Sequence, residues 1–349
     1  VWSKPTTGQT FVSIPILREV TSTTTTQGTS TKSITKTIRA TSTLLIFVDR
    51  TTGYVYGNNV DSGETYQISN STIPGVYDAY IFNSGKKILI RYLNTNQTTI
   101  TSILATLPTL TNNGTPQPLE QITNLPNNIS SVAVSASSEK ISFLIPNSVS
   151  SSIYTITSKG QTITATSPFS EWSLSYGGEQ LYATSKASAY VEGETVYIPS
   201  FARIIGDKTG LISLPSLDDS LLHSMWSQSG LVTFLSLPKN GNLVLNISTL
   251  ASKCGILKKN TFICAVPKDV SKGVEGLPDD WYQGRFSFDD TFSLVDTKTG
   301  DDYPLYSFDS KLGAMDVTRI KSSRDGLFVG FIKKQDSTLW LLRLNLISL

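Results

Sequence analysis

From Ile38 onward the chain repeats one short cycle: an apolar run, a turn of small residues, and a stronger apolar run. The clearest copy is the last, residues 316–346. There the apolar runs 317–320, 327–332 and 339–346 are separated by the turns Ser322-Ser323-Arg324-Asp325-Gly326 and Lys333-Lys334-Gln335-Asp336-Ser337. Runs this short, rich in β-branched and aromatic residues and bounded by Gly, Asp and Ser, read as strands. A lone antiparallel meander cannot bury both of its faces, so it needs neighbours like itself.

The chain supplies six. Their apolar runs fall at 44–48, 54–56 and 65–69; at 77–82, 87–92 and 99–104; at 132–134, 141–145 and 153–156; at 172–174, 180–184 and 195–198; at 221–226, 231–235 and 243–247; and at 254–264 with 291–295. The turn positions Gly85, Glu139, Gly178, Gly230, Asn260 and Gly326 are spaced by 54, 39, 52, 30 and 66 residues. The average lies close to the roughly 40–50 residues of a propeller blade. The expected fold is therefore all-β, a β-propeller of seven blades, each of three to four antiparallel strands. Radial repetition leaves only short, protected edges. Ser and Thr crowd almost every segment, and branched Thr suits the pleat.

Two segments complete this reading. Residues 1–40 hold an N-terminal strand at 11–17 and a Thr/Ser-rich tract at 21–33 with nothing apolar to bury, which reads as a flexible segment. Residues 41–349 form the propeller. The last repeat is one strand short of four, and the expectation is that 11–17 completes it and closes the ring. A second recurring device is Asp49-Arg50-Thr51-Thr52-Gly53, Asp207-Lys208-Thr209-Gly210 and Asp296-Thr297-Lys298-Thr299-Gly300. Asp accepts hydrogen bonds from amides just downstream and Gly takes positive φ, so these read as hairpin turns. They lack the D-x-D-x-D-G ladder of a calcium loop.

Charge narrows the function classes. Net charge is +2 and the 29 basic residues form no stripe, which argues against nucleic acid as a partner. No apolar run approaches the roughly 18 residues of a membrane helix. The chain opens on Val1-Trp2-Ser3-Lys4-Pro5 with no signal peptide, leaving room for a signal or anchor upstream.

Cys254 and Cys264 flank the turn Lys258-Lys259-Asn260, so pairing of the two arms brings them face to face at disulfide distance. An even cysteine count in a Ser/Thr-rich chain favours an oxidising compartment. Two buried free thiols are the alternative. Two Cys and one His cannot close a zinc site, and no metal or cofactor is expected. His223, the single histidine, falls on a strand and reads as structural. No G-x-S-x-G, H-E-x-x-H or phosphate-cradling loop occurs.

The richest candidate patch is Asp279, Asp280, Trp281, Tyr282 and Arg285, with Asp289, Asp290, Asp301 and Asp302 downstream. Aromatics beside carboxylates suit a glycan platform or a protein-binding hot spot. Paired carboxylates are also the tools of glycoside hydrolysis. The plainer reading is a solvated loop with Trp281 tucked over the blade edge as a lid.

The blade pattern resembles the WD40-like propeller repeats of bacterial periplasmic and secreted proteins, with S-x-x-G before the second strand and D-x-x-T-G before the third. The segments 263–267, 277–284 and 286–290, with 49–56 and 184–188, look similar to secreted or membrane-anchored propeller proteins of candidate-phyla bacteria. The G-H and W-D dipeptides of true WD40 blades are missing. The resemblance implies an extracellular or cell-envelope location behind an N-terminal anchor, and it implies no chemistry. Together these observations lead to a non-catalytic binding or structural module whose protein or glycan ligand sits on a propeller face. The alternatives are a carbohydrate-active enzyme using the carboxylates of 279–302, and a subunit of an extracellular assembly.

Overall fold

The computed structural model describes residues 2–25, 31–96, 98–109, 115–227, 230–237, 241–270 and 276–345, with the backbone alone for 15–25 and 31–40. Positions 26–30 of the Thr-rich tract, Gln228 and Ser229 of the turn at 227–230, and Leu346 at the end of the last repeat lie outside the described residues.

The strongest apolar runs become strands buried on both faces, as in Ile141–Pro146, where the first four residues are all inaccessible. Strands of this kind need a sheet on either side, and seven sheets provide it. Blade 1 is Thr6–Thr25, Thr31–Asp49, Val55–Asn59 and Thr65–Ser69. Blade 2 is Val76–Phe82, Lys87–Leu93, Ile100–Thr106 and Glu120–Leu125, and blade 3 is Ser131–Val134, Ile141–Pro146, Ser151–Thr157 and Gly160–Ser167. Blade 4 is Trp172–Gly177, Gln180–Ser185, Glu192–Ile198 and Arg203–Thr209, and blade 5 is Ile212–Pro215, Leu221–Ser227, Gly230–Leu237 and Gly241–Val244. Blade 6 is Cys254–Lys258, Thr261–Pro267, Asp290–Asp296 and Asp302–Ser307. Blade 7 has three strands, Val317–Ser322, Phe328–Lys333 and Thr338–Arg343. The fold is the expected seven-bladed, all-antiparallel β-propeller.

The first strand of each blade is the innermost, and these strands pack on one another around the axis, that of blade 7 closing against that of blade 1. The core lies between blades. Val12, Ile46, Ile81 and Ile88 fill the joint of blades 1 and 2, and Leu45, Phe47, Phe328 and Leu339 fill that of blades 7 and 1. At this last joint Gly330 lets the sheets approach, because a Cβ there would meet Leu45 Cδ1 at 3.3 Å and Phe11 Cε2 at 3.5 Å.

Several local expectations are corrected. The strand at 11–17 does not complete blade 7; it pairs within blade 1, from Phe11↔Leu45 to Leu17↔Arg39. Blade 7 meets the N-terminus through an isolated bridge instead, Trp2 exchanging 3.2 Å backbone hydrogen bonds with Leu339, and through the Thr6 amide, which donates to the Ser337 carbonyl at 2.9 Å. The Thr-rich tract is strand at 21–25 and 31–33, because Thr6–Thr25 and Thr31–Asp49 stay paired out to Thr25↔Thr31. Thr21 and its neighbours gain a complete backbone ladder there without needing apolar side chains.

Asp49 and Asp296 form the expected turns. Their Oδ1 atoms accept from Thr51 and Thr52 (2.9 and 3.1 Å) and from Lys298 and Thr299 (2.7 and 3.2 Å). Asp207 does not, since its carboxylate takes Arg203 Nη2 at 2.5 Å and the strand Arg203–Thr209 runs through it. Four outer strands, Glu120–Leu125, Gly160–Ser167, Arg203–Thr209 and Asp302–Ser307, had no apolar signature, and the run at 243–247 is strand only to Val244. An outermost strand faces water along its edge and carries little of the core.

Candidate functional site

Because every blade is a meander starting from the axis, the second-to-third connections and the crossings between blades lie at one end of the ring. The first-to-second and third-to-fourth turns lie at the other end. The patch 279–285 belongs to the first face, in the long second-to-third connection of blade 6, residues 268–289.

In that connection Asp279–Tyr282 form one helical turn after Pro278. Asp279 Oδ2 accepts from the Ala189 amide at 2.5 Å, tying the turn to the corresponding connection of blade 4. Asp280 accepts from Arg285 Nε at 2.9 Å, an exposed pair. Trp281 is turned inward, 2 % exposed, among Leu231, Leu250, Leu277 and Phe288. Tyr282 stays 49 % exposed. The five residues therefore do not form one open platform. Trp281 anchors the connection, as in the lid reading, while Tyr282 and Arg285 face outward.

Beneath Trp281 lies a group of buried charges. Lys253 Nζ, fully inaccessible, donates to Asp316 Oδ1 at 2.5 Å and to the Val317 carbonyl at 3.0 Å, and lies 2.8 Å from Asp290 Oδ2. It also sits 5.0 Å from the centroid of Trp281 and 4.8 Å from that of Phe288, where a ring face attracts a cation. Asp316 accepts further from Trp281 Nε1, Ser287 Oγ and the Phe288 amide. Asp290 Oδ2 accepts from the Val317 amide at 2.7 Å, while its Oδ1 has no partner. Burial pushes the Asp290 carboxyl up to about 6, against the pull of the Lys253 ammonium. Breaking such a group is costly, so its role is to hold the connection 268–289 on the ring.

The carboxylates of 279–302 do not converge. Asp279, Asp280 and Asp289 lie at the first face, and Asp290 is sealed under Trp281. Asp301 and Asp302 lie beyond the strand Asp290–Asp296, at the opposite face, about 20 Å away at the rise of a strand. Among the described residues no group of three or more His, Cys, Asp or Glu is placed to hold a metal ion. His223 is inaccessible, stacked on Phe234 at 5.0 Å with Nδ1 2.7 Å from Ser213 Oγ, and burial lowers it to about 3. It stays neutral and out of reach of substrate.

The first face carries a different feature. Val149, Phe169, Tyr190 and Val191 are all more than half exposed, and they sit on its connections in blades 3 and 4. Tyr282 and Leu312, on connections of the same face at blade 6, are also exposed. An open groove of about 440 Å³, lined by Ile73, Pro74, Tyr92 and Leu93, lies on the same face at blades 1 and 2. Cys254 and Cys264, paired in register on adjacent strands of blade 6, are disulfide-bonded with Cα atoms 4.0 Å apart.

Residues that the sequence reading passed over are Lys253 and Asp316, and the charged group Asp78, Arg319 and Lys321 on inner strands. The available signal was a charge inside an otherwise apolar strand, as in Tyr77-Asp78-Ala79-Tyr80-Ile81-Phe82.

No protein-family model matches the chain, and no curated protein matches it. Solved structures do. The β-propeller domain of the Trilobed protease from Pyrococcus furiosus, described as having an open velcro topology, is 10 % identical, with a TM-score of 0.55 over 87 % of this chain and 91 % of that one. An uncharacterized protein from Listeria monocytogenes is 14 % identical, with a TM-score of 0.52 over 88 % and 93 %. An oligogalacturonate lyase, solved in complex with manganese, is 9 % identical, with a TM-score of 0.54 over 97 % and 99 %. At these identities the likeness is one of fold alone, and a fold does not fix an activity.

Proposed function

We propose that the chain is a non-catalytic binding module of the cell surface or extracellular space, taking a protein or glycan ligand on the face that bears residues 149, 169, 190, 191 and 282. The observation that carries this reading is the gathering of exposed aromatic and aliphatic side chains on the connections of one face. Contiguous exposed apolar surface marks interaction sites, and rigid aromatics supply contact area at low entropic cost. The Cys254–Cys264 disulfide supports an oxidising compartment. Among the described residues no helix is long and apolar enough to cross a membrane.

The test is a glycan array and a set of purified surface proteins, probed with the wild-type chain and with Phe169→Ala/Tyr190→Ala. The reading expects a ligand whose binding falls at least about tenfold in the double variant, since each truncated aromatic anchor costs a kcal/mol or more. Binding unchanged in the double variant moves the ligand off this face. Cleavage of any glycan on the array, abolished by replacing Asp280 or Asp289, would favour the enzyme instead.

A further inference from the structure

We propose that the axial channel holds an oxyanion site built on Arg319 and Lys321 of the blade 7 inner strand, beside Asp78 of blade 2. This goes beyond the face described above and does not rest on it. Among the described side chains of the seven inner strands Asp78 is the one carboxylate, against Arg319, Lys321 and Lys258, while Arg18 and Glu19 lie on the part of Thr6–Thr25 described by its backbone alone.

Arg319 is set into the channel by its backbone. Pairing of Val317–Ser322 with Phe328–Lys333 slips between Thr318 and Lys321, and Arg319 takes φ 54° at that bulge, a conformation L residues rarely adopt. Gln9 Nε2 donates to its carbonyl and holds it there. Its Nη1 donates to Asp78 Oδ1 at 2.6 Å and to Thr7 Oγ1 at 2.8 Å. Its Nη2 and Nε have no partner among the described residues, and 43 % of the side chain remains exposed.

Lys321 pairs in register with Gly330, whose open side faces Phe11 and Leu45, so it leans to the blade 1 side, as Arg319 does. It is exposed, yet it forms no hydrogen bond or ion pair among the described residues. Removal from bulk water and then the Arg319 guanidinium push its ammonium below its ordinary value. Two residues from Arg319 on the innermost strand of blade 7, Lys321 lies on the axial side of the sheet with it.

The charges do not balance. Burial alone would raise Asp78, but Arg319, Tyr80 and Arg91 hold it below the usual carboxylate range, so it stays ionised. Arg91, 3.9 Å from Asp78 Oδ2, is buried with it. Arg319 and Arg91 thus both meet Asp78, and Lys321, repelled by Arg319, adds a third positive charge with no carboxylate paired to it among the described residues. A guanidinium edge with free N–H groups beside an unpaired ammonium is the donor set of an oxyanion receptor. The ligand class is a sulfate, phosphate or carboxylate group.

The test is isothermal titration calorimetry of the full chain with sodium sulfate, sodium phosphate and sodium malonate, at constant ionic strength. One anion per chain is expected to bind, and Lys321→Gln should weaken it at least about tenfold without lowering the melting temperature of the anion-free protein. Arg319→Lys, which keeps a counter-charge for Asp78 but loses the fork, should also weaken it and serves if Lys321→Gln does not fold. Preference for malonate over the tetrahedral ions would assign a carboxylate, and the reverse a phosphate or sulfate. No saturable binding of any of the three up to about 10 mM, or equal binding by wild type and both variants, overturns the proposal. Either result leaves the face ligand untouched, since neither residue lies on that face.

Discussion

Trp281 Nε1 donates to both carboxylate oxygens of Asp316, at 3.0 and 2.9 Å, and so joins the connection 268–289 to the entrance of blade 7. Trp281→Phe keeps most of the apolar packing but removes the donor. It should cost about 1.5–3 kcal/mol, the range for a hydrogen bond to a charged group. Urea unfolding measures the loss, and limited proteolysis should cut faster within 268–289. An unchanged midpoint together with an unchanged cleavage pattern would show that the connection is held elsewhere.

Asp290 and Asp316 should respond differently to neutralisation, although both meet Lys253. Asp316→Asn removes the carboxylate that Lys253, Trp281 and Ser287 share, and should cost about 3–5 kcal/mol, as when one partner of a buried pair is lost. Asp290 has its folded value raised from 3.8 to about 6. The folded state thus holds that proton more tightly than the unfolded chain, and its contribution, full below about pH 4, is lost as pH rises through 6. Asp290→Asn mimics the protonated form and should be more stable than wild type at pH 8 by up to about 3 kcal/mol. Greater instability of Asp290→Asn at pH 8 would contradict this account.

His223 should act in the opposite direction. Its folded value is depressed from 6.5 to about 3, so the stability it contributes is present above pH 6.5 and lost as pH falls. The expected slope is up to about 1.4 kcal/mol per pH unit for one proton. Unfolding free energies of wild type and His223→Phe between pH 7 and 4 isolate it. Parallel curves for the two would mean that the imidazole is not shielded.

Trp2 joins blade 7 to blade 1. Its ring lies 5.3 Å from Phe47 and 4.6 Å from Tyr56, while its backbone bridges Leu339. Trp2→Ala should cost about 2 kcal/mol through lost aromatic packing. Deleting residues 1–5 should lower the melting temperature, whereas deletion through 37 removes the inner strand of blade 1 and should prevent folding. A melting temperature unaffected by the short deletion would show that the bridge is idle.

Strands buried on both faces were legible in the sequence, since runs such as 44–48, 87–92 and 141–145 have nowhere to go but between sheets. The outer strands were not, because Gly160–Ser167 and Glu120–Leu125 are held by a backbone ladder on one side only and show no apolar period. Pairing partners were the second gap. Nothing local distinguishes Phe11 opposite Leu45 from Phe11 on the edge of blade 7. The acidic-aromatic patch was found, but the direction of Trp281 was not. Its partner Asp316 lies 35 residues downstream in the next blade, and an indole among aspartates looks solvated until that carboxylate is placed.

Blade 7 offers the edge of Thr338–Arg343, which among the described residues is engaged at Leu339 by Trp2 and by no fourth strand. The neighbouring amides of that edge should exchange with deuterium through small local openings rather than through global unfolding. The ring is therefore closed at its inner strands and core, and it is the outer rim of blade 7 that first yields. The middle strand Phe328–Lys333 separates that edge from the strand bearing Arg319 and Lys321, so fraying at the rim leaves the axis intact.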